Sequence, residues 1–139
     1  WNTQEMKVAF ADTSFYIALV NPRDSHHQNA LNASTYWEYD VVTTEYVLLE
    51  LGNYFRSPHD RNLFMDMLCA LREDSETEIV PASSALFDEG VQIYGRRSDK
   101  QWSLTDCISF AVMKAYSIAD ALACDHHFEQ AGYHILLPL

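Results

Sequence analysis

Four acidic residues occupy positions at which a folded chain would bring their carboxylates together. Asp12 and Asp125 each follow a short hydrophobic run, and Glu50 lies within a predicted helix. Asp106 follows Thr105, a residue type that commonly caps helices. Clustered acids repel one another, so a protein that gathers them usually does so around a divalent cation. The pattern predicts metal-dependent cleavage of a phosphodiester.

The elements that must position these acids alternate along the chain, without repeats, low-complexity segments or linkers rich in proline and glycine. Strands are predicted at residues 7–11, 41–43, 78–80 and 120–124, and helices at about 12–20, 24–36, 44–56, 57–72, 83–94, 105–117 and 126–131. Short apolar strands that alternate with helices predict a parallel sheet covered on both faces. In such sheets ligands bind beyond the carboxyl ends of the strands, which is where Asp12 and Asp125 stand.

Helix geometry favours Glu50 over Glu45 as the acid that joins this cluster. At about 100° per residue, Val47 and Leu51 belong to one apolar stripe of the predicted helix. Glu50 lies roughly 60° from Val47, at the margin of that stripe and facing a cleft beside the sheet. Glu45 falls on the opposite, solvated side.

Two alternatives to a metal site remain open for these acids. Asp12 and Asp106 also stand where a carboxylate caps a helix or stabilises its first turn. A cation is nevertheless favoured, because Asp12 and Asp125 at adjacent strand ends would otherwise repel each other without compensation. Phosphoryl transfer to Asp12 is the weaker alternative, since aspartyl-phosphate hydrolases need an acid where this chain has Ser14.

Other residues that commonly bind metals show no suitable spacing. His126 and His127 are neighbours on a predicted helix and therefore do not share a face, and no third histidine is suitably spaced. The three cysteines, Cys69, Cys107 and Cys124, match neither a metal nor a redox motif. We interpret them as buried thiols in a reducing cytoplasm.

Charge gives a mixed indication about nucleic acid. The formal net charge is -11, which opposes binding to a phosphate backbone. Arg96, Arg97 and Lys100 contribute a third of the nine Lys and Arg residues, in a segment that leads into Asp106. This segment is either a substrate contact near the metal or a solvated loop, and Trp102 either stacks on a base or anchors the loop. The remaining acidity suits a basic protein partner.

Length and composition predict one folded domain over residues 1–139. The chain is 48% hydrophobic and 13% aromatic, which is atypical of disordered proteins. No apolar run is long enough to span a membrane and nothing resembles a signal peptide, so we expect a cytoplasmic location. Residues 1–5 are interpreted as a cloning remnant or a disordered end.

Four short segments form a recognisable pattern: Asp12-Thr13-Ser14-Phe15 and residues 43–51, 103–107 and 125–133. Together they resemble a PIN-domain ribonuclease, and specifically the VapC-type toxins of bacterial toxin–antitoxin pairs. Each motif is short, but their order and spacing are specific, and the resemblance covers nearly the whole chain.

The resemblance implies a three-layer α/β/α sandwich with a central, mostly parallel sheet. It also implies that Asp12, Glu50, Asp106 and Asp125 converge on Mg²⁺ or Mn²⁺, with Ser14 supplying a nearby hydroxyl. Members of this family commonly form homodimers and are often bound by an antitoxin whose basic residues occlude the acidic cleft. The implied activity is endonucleolytic hydrolysis of RNA.

One departure from the family pattern keeps other functions open. Ala123 stands where the family commonly has Thr or Ser, so a hydroxyl that supports the metal ligands is missing. A catalytically weak protein that uses its acidic pocket for binding is therefore one alternative. A PIN nuclease with an RNA-processing role and no antitoxin is the other.

Overall fold

A five-stranded sheet, parallel throughout, forms the centre of the computed structural model, which describes residues 7–35 and 38–137. The strands are β1 (Lys7–Ala11), β2 (Tyr39–Thr44), β3 (Thr77–Val80), β4 (Asp120–Leu122) and β5 (His134–Ile135). Their spatial order is β3-β2-β1-β4-β5, which makes β1 the central strand. The predicted α/β architecture with a parallel sheet is confirmed.

Seven helices accompany this sheet in the described part of the chain. They are α1 (Thr13–Val20), α2 (His27–Thr35), α3 (Glu45–Tyr54), α4 (Arg61–Glu73), α5 (Ser84–Arg96), α6 (Leu104–Ala115) and α7 (His127–Gln130). All strands are parallel, so their carboxyl ends meet at one edge of the sheet. The chain enters α1, α3 and α7 from that edge.

Helix α6 is the most deeply buried helix and carries one of the predicted site residues. Eight consecutive residues of α6, from Asp106 to Met113, are buried. Helix α5 packs closely on it because Gly90 has no side chain, and a Cβ at this position would overlap Ile108. Asp106, in the first turn of this largely apolar helix, is thus held against the core.

The structure corrects the predicted cap of α6. Ser103, and not Thr105, is the N-cap, and its Oγ accepts a hydrogen bond from the backbone N of Asp106 at 3.0 Å. Asp106 reciprocates, because its Oδ2 accepts from the backbone N of Ser103 at 3.1 Å. Asp106 therefore lies in the first turn with one carboxylate oxygen engaged by the capping box.

Helices α2 and α4 begin later than predicted. Helix α4 starts at Arg61, because residues 58–60 form a turn in which Ser57 Oγ donates to Asp60 Oδ2 at 2.9 Å. Helix α2 starts at His27, and its predicted end at Tyr36 lies outside the described residues.

The interpretation of all three cysteines as buried is wrong for one of them. Cys107 is buried and Cys124 is partly buried, whereas Cys69 is exposed on α4, a helix that has no fully buried residue.

Two further expectations concern membranes and the chain end. Across residues 7–35 and 38–137, no helix has the length and apolar character needed to cross a bilayer. The interpretation of residues 1–5 concerns positions outside the described ranges.

Candidate active site

Asp12 lies at the carboxyl end of the central strand and caps the helix that follows. Its backbone N donates to the carbonyl O of Leu122 at 3.0 Å, which continues the β1–β4 pairing by one residue. Its side-chain Oδ2 accepts hydrogen bonds from the backbone N of Ser14 at 3.3 Å and from Ser14 Oγ at 2.8 Å. The backbone of Asp12 is thereby joined to β4, while its carboxylate is held by Ser14 and is almost fully buried.

Ser14 joins the two strand ends through a single hydroxyl. While Ser14 Oγ donates to Asp12, it accepts a hydrogen bond from the backbone N of Cys124 at 3.0 Å. Cys124 directly precedes Asp125 in the chain. The hydroxyl therefore sets the position of Asp12 relative to the segment that carries Asp125.

Asp106 and Asp125 meet at His127. The ring Nδ1 of His127 lies 3.0 Å from Asp106 Oδ2, and the backbone N of His127 donates to Asp125 Oδ1 at 3.0 Å. One oxygen of each carboxylate and one ring nitrogen of His127 lie within 4.8 Å of one another. Two of the predicted acids are thus brought together, with a histidine that the sequence analysis set aside.

The three aspartates influence one another electrostatically. Burial, followed by the charges of Asp125 and Asp106, raises the pKa of Asp12 to about 7, although the hydrogen bonds from Ser14 oppose this shift. Burial also raises the pKa of Asp106, with Asp125 adding to the shift while Ser103 and His127 oppose it. The charges of Asp125 and Asp106 thus act on Asp12. Asp12 does not itself belong to the group of donor atoms within 4.8 Å that Asp106, Asp125 and His127 form.

The donor set of this cluster suits a hard divalent cation. Asp12 and Asp106 accept their side-chain hydrogen bonds through Oδ2, and Asp125 accepts through Oδ1. Among the described residues, the second oxygen of each carboxylate accepts no hydrogen bond and remains available as a ligand. Oxygen ligands are those that Mg²⁺ and related cations prefer, and a cation would offset the repulsion among the acids.

The structure does not bring Glu50 into this cluster. Glu50 is partly buried on α3, a helix that contacts both α1 and α6, the helices beginning at the other acids. Within the described residues its carboxylate makes no hydrogen bond or ion pair. Glu45 is exposed as predicted, but it also accepts a hydrogen bond from the backbone N of Ala82 at 2.7 Å and so holds the segment before α5.

The basic segment at the end of α5 is held in place by ring and ion-pair contacts. Arg97 donates to both carboxylate oxygens of Asp99 at 3.0 and 3.1 Å, and its guanidinium lies 4.9 Å from the centre of the Trp102 ring. Trp102 is buried, and its Nε1 donates to Gln130 Oε1 on α7 at 3.1 Å. Trp102 therefore anchors the loop, one of its two predicted roles, and the charge of Arg97 is already paired.

Two cations of this segment remain unpaired in the part of the chain that the structure describes. Neither Arg96 nor Lys100 forms an ion pair there. Lys100 borders a cavity of about 490 Å³ whose wall includes Cys107, the residue next to Asp106. The full lining is Tyr94, Gly95, Arg97, Ser98, Lys100, Gln101, Trp102 and Cys107.

Sequence reasoning missed His127 because it treated two adjacent histidines as one helical pair. His126 is the exposed N-cap of α7, whereas the ring of His127 turns inward to Asp106. A usable signal was Asp125 two residues earlier, since an aspartate at a strand end commonly accepts from the backbone N two residues on.

Comparisons with known proteins identify the family to which this fold belongs. Residues 9–132 match the PIN domain family. The chain is 27% identical over 124 residues to the 23S rRNA-specific endonuclease VapC20 of two Mycobacterium tuberculosis strains, covering 89% of this chain and 94% of that protein. The crystal structure of M. tuberculosis VapC20, described as a sarcin-ricin loop cleaving toxin, matches with a TM-score of 0.82 at 26% identity, over 90% of this chain and 95% of that one.

More distant structures share the fold. FitAcB of Neisseria gonorrhoeae has a TM-score of 0.66 at 18% identity, with 92% of this chain and 96% of that chain covered. A toxin-antitoxin complex from Klebsiella pneumoniae has a TM-score of 0.60 at 18% identity, with coverages of 86% and 88%. The resemblance inferred from the motifs is confirmed, and the chain belongs to the PIN domain family.

Proposed function

We propose that this protein is a divalent-metal-dependent endoribonuclease that acts in the cytoplasm as the toxin of a toxin–antitoxin pair. The observation that carries the proposal is the close approach of Asp106 and Asp125, which belong to a group of donor atoms within 4.8 Å of one another. Asp12 is near enough for burial, followed by the charges of Asp125 and Asp106, to raise its pKa to about 7. The similarity to VapC20, a 23S rRNA-specific endonuclease, supports structured ribosomal RNA as the substrate class.

The three aspartates would hold Mg²⁺ or Mn²⁺ through their free oxygens. Such a cation, when bound, neutralises charge on the scissile phosphate and lowers the pKa of an attacking water. Ser14 keeps Asp12 in place through its hydroxyl. Glu50, on the bordering helix, either completes the ligand set or accepts a hydrogen bond from the attacking water and so orients it.

The RNA backbone would approach along the basic segment. Lys100 and Arg96 form no ion pair among the described residues, so their positive charge is available to the RNA backbone. Lys100 borders the cavity whose wall includes Cys107, next to Asp106. Arg97 contributes less to phosphate binding because Asp99 already neutralises it. Charge reversal at Lys100 should therefore weaken RNA binding more than the same change at Arg97.

An antitoxin with basic residues is the protein partner that this surface suits. The net charge of -11 favours a cationic partner over free RNA when both compete for the acidic cleft. Co-expression with the product of the adjacent gene should relieve growth arrest. Arrest that persists despite a folded, bound partner would contradict the toxin role.

A homodimer is the proposed assembly. Helix α5 presents Phe87, Val91 and Tyr94 at a helical spacing that places them on one exposed face. Light scattering on purified protein should give twice the chain mass, and Val91→Glu should shift it towards the monomer.

The function is tested by cleavage of a labelled sarcin-ricin loop hairpin, with a hairpin of scrambled loop sequence as the control. Wild type with Mg²⁺ or Mn²⁺ should cut the first hairpin, and chelation or Asp12→Asn should abolish the cut. Folded, partner-free wild type that leaves both hairpins and a total ribosomal RNA sample intact would overturn the proposal.

A further inference from the structure

His127 contacts two carboxylates at once, through different parts of the residue. Its backbone N donates to Asp125 Oδ1 and its ring Nδ1 lies at hydrogen-bond distance from Asp106 Oδ2, both at 3.0 Å. With Asp106 ionised, the ring N–H is the donor of that second bond. The two carboxylates come from different elements, the start of α6 and the segment between β4 and α7.

The ring is held in this position by the core beneath it. Phe128 follows His127 and is fully buried, with ring centres 5.0 Å from Phe110 and 6.2 Å from Phe10. Helix α7 therefore cannot turn without withdrawing Phe128 from the core. The side chain of His127 is only 25% exposed, which strengthens its hydrogen bond relative to one on the surface.

A second histidine–aspartate pair lies outside the site and differs from the first in the exposure of its histidine. His134 Nδ1 lies 3.2 Å from Asp120 Oδ1, but the His134 side chain is 72% exposed. This pair links β5 to β4 and touches no other carboxylate within the described residues. Exposed pairs of this kind contribute little to stability or geometry.

We propose that His127 is a positioning residue that fixes the separation of the Asp106 and Asp125 carboxylates and thereby sets the affinity of the site for its cation. The proposal deepens the proposed nuclease function and rests on its metal requirement. Oxygens that share one ion at roughly 2.1–2.5 Å lie at most about 5 Å apart, so carboxylates from two independent elements must be held close together before the ion arrives. The observed group of donor atoms, all within 4.8 Å of one another, meets that limit.

Binding of Mn²⁺ alone, measured by the electron paramagnetic resonance signal of the free ion, tests this role without RNA. His127→Leu should weaken Mn²⁺ affinity by about 10- to 100-fold, as losses of supporting contacts do at other metal sites. His127→Asn should restore most of the affinity, because the amide Nδ2 can donate from the place of the ring Nδ1. His134→Leu is the matched control and should bind Mn²⁺ within about twofold of wild type, because it removes only an exposed pair.

Several outcomes would overturn the positioning role. Wild-type affinity in folded His127→Leu would do so, as would an affinity in folded His127→Asn as low as that of the leucine variant. A nitrogen coupling from His127 in pulsed resonance of bound Mn²⁺ would make it a direct ligand instead. If His127→Leu fails to fold, the Mn²⁺ affinity of His127→Asn still tests the proposal, because the proposal requires that variant to bind Mn²⁺ almost as tightly as wild type. Wild type that binds Mn²⁺ with the expected variant ranking, yet cleaves no RNA, would refute the proposed function and leave the positioning role intact.

Discussion

Asp12 and Thr44 occupy equivalent places in the fold but differ in chemistry. Asp12 directly follows β1, and Thr44 is the last residue of β2, which pairs with β1 in parallel. Each is buried, and each caps the next helix. Thr44 Oγ1 accepts from the backbone N of Val47 at 3.1 Å, and Asp12 Oδ2 accepts from the backbone N of Ser14 at 3.3 Å. The hydroxyl is neutral, whereas the carboxylate has a pKa raised to about 7.

The difference shows that capping alone does not account for Asp12. A cap needs only a side-chain acceptor, and the hydroxyl of Thr44 provides one without burying a charge. Burying a carboxylate beside two others carries a free-energy cost that a capping bond offsets only in part. This cost supports the proposal that Asp12 is a cation ligand as well as a helix cap.

The largest effect that would separate the two positions is on catalysis. Asp12→Asn keeps the shape and an acceptor oxygen but removes the charge, so we expect kcat/KM for RNA cleavage to fall at least about 100-fold. Thr44→Ser keeps the hydroxyl cap and should remain within about threefold of wild type. Substantial activity in a folded Asp12→Asn protein would contradict the comparison.

The second effect concerns stability without metal as a function of pH. The pKa of Asp12 is raised in the folded state, so the stability it contributes is present below pH 4 and is lost as pH rises through about 7. The free energy of unfolding in chelator should therefore fall by up to about 4 kcal/mol between these limits. Urea melts at a series of pH values would measure this.

Two controls make the pH measurement specific. Asp12→Asn should flatten most of the decline, and saturating Mg²⁺ at pH 8 should restore stability to the wild type but not to the variant. A wild-type protein whose stability rises from pH 4 to 7 in chelator would contradict the raised pKa.

Substitution of Ser14 should affect the site less than substitution of Asp12, the residue that Ser14 holds in place. Ser14→Ala removes the 2.8 Å hydrogen bond to Asp12 and leaves the backbone N of Cys124 without its acceptor. Loss of the first bond raises the pKa of Asp12 further, so Mg²⁺ affinity at pH 7 should drop about tenfold. Calorimetric titration of Mg²⁺ would measure it, and an unchanged affinity would assign the hydroxyl to folding alone.

The smallest expected effect is that of removing the Thr44 hydroxyl, which should change only the stability of the protein. Thr44→Val removes the cap of α3 and should lower the free energy of unfolding by about 1 kcal/mol. Its Mg²⁺ affinity should match that of wild type, because Thr44 donates nothing to the acidic cluster. A large loss of metal binding would show that the two caps are not separable in this way.

Much of the fold was predictable because its signals are local. Alternating apolar strands and helices predicted the parallel sheet, and a parallel sheet places Asp12 and Asp125 at one edge. Helix periodicity predicted that Glu45 is solvated and that Glu50 lies at the margin of the apolar stripe, and Glu50 is the more buried of the two. Its role as a metal ligand stays a prediction.

The errors arise where local signals are ambiguous. Ser103 and Thr105 both carry capping hydroxyls, and only the extended backbone of Ser103 decides between them. The inward turn of the His127 ring depends on Phe128 entering the core, a tertiary contact that residue spacing does not encode. Cys69 lies on α4, a helix with no fully buried residue, and the residue composition of α4 did not indicate that it would be exposed.

The most direct test of the central claim is the anomalous scattering of Mn²⁺ in crystals of the protein. A manganese peak bonded to oxygens of Asp12, Asp106 and Asp125 is the predicted result, and it should vanish in Asp12→Asn. Crystals soaked at saturating Mn²⁺ that show no peak among these carboxylates, with Asp12 still bound only to Ser14, would contradict the account.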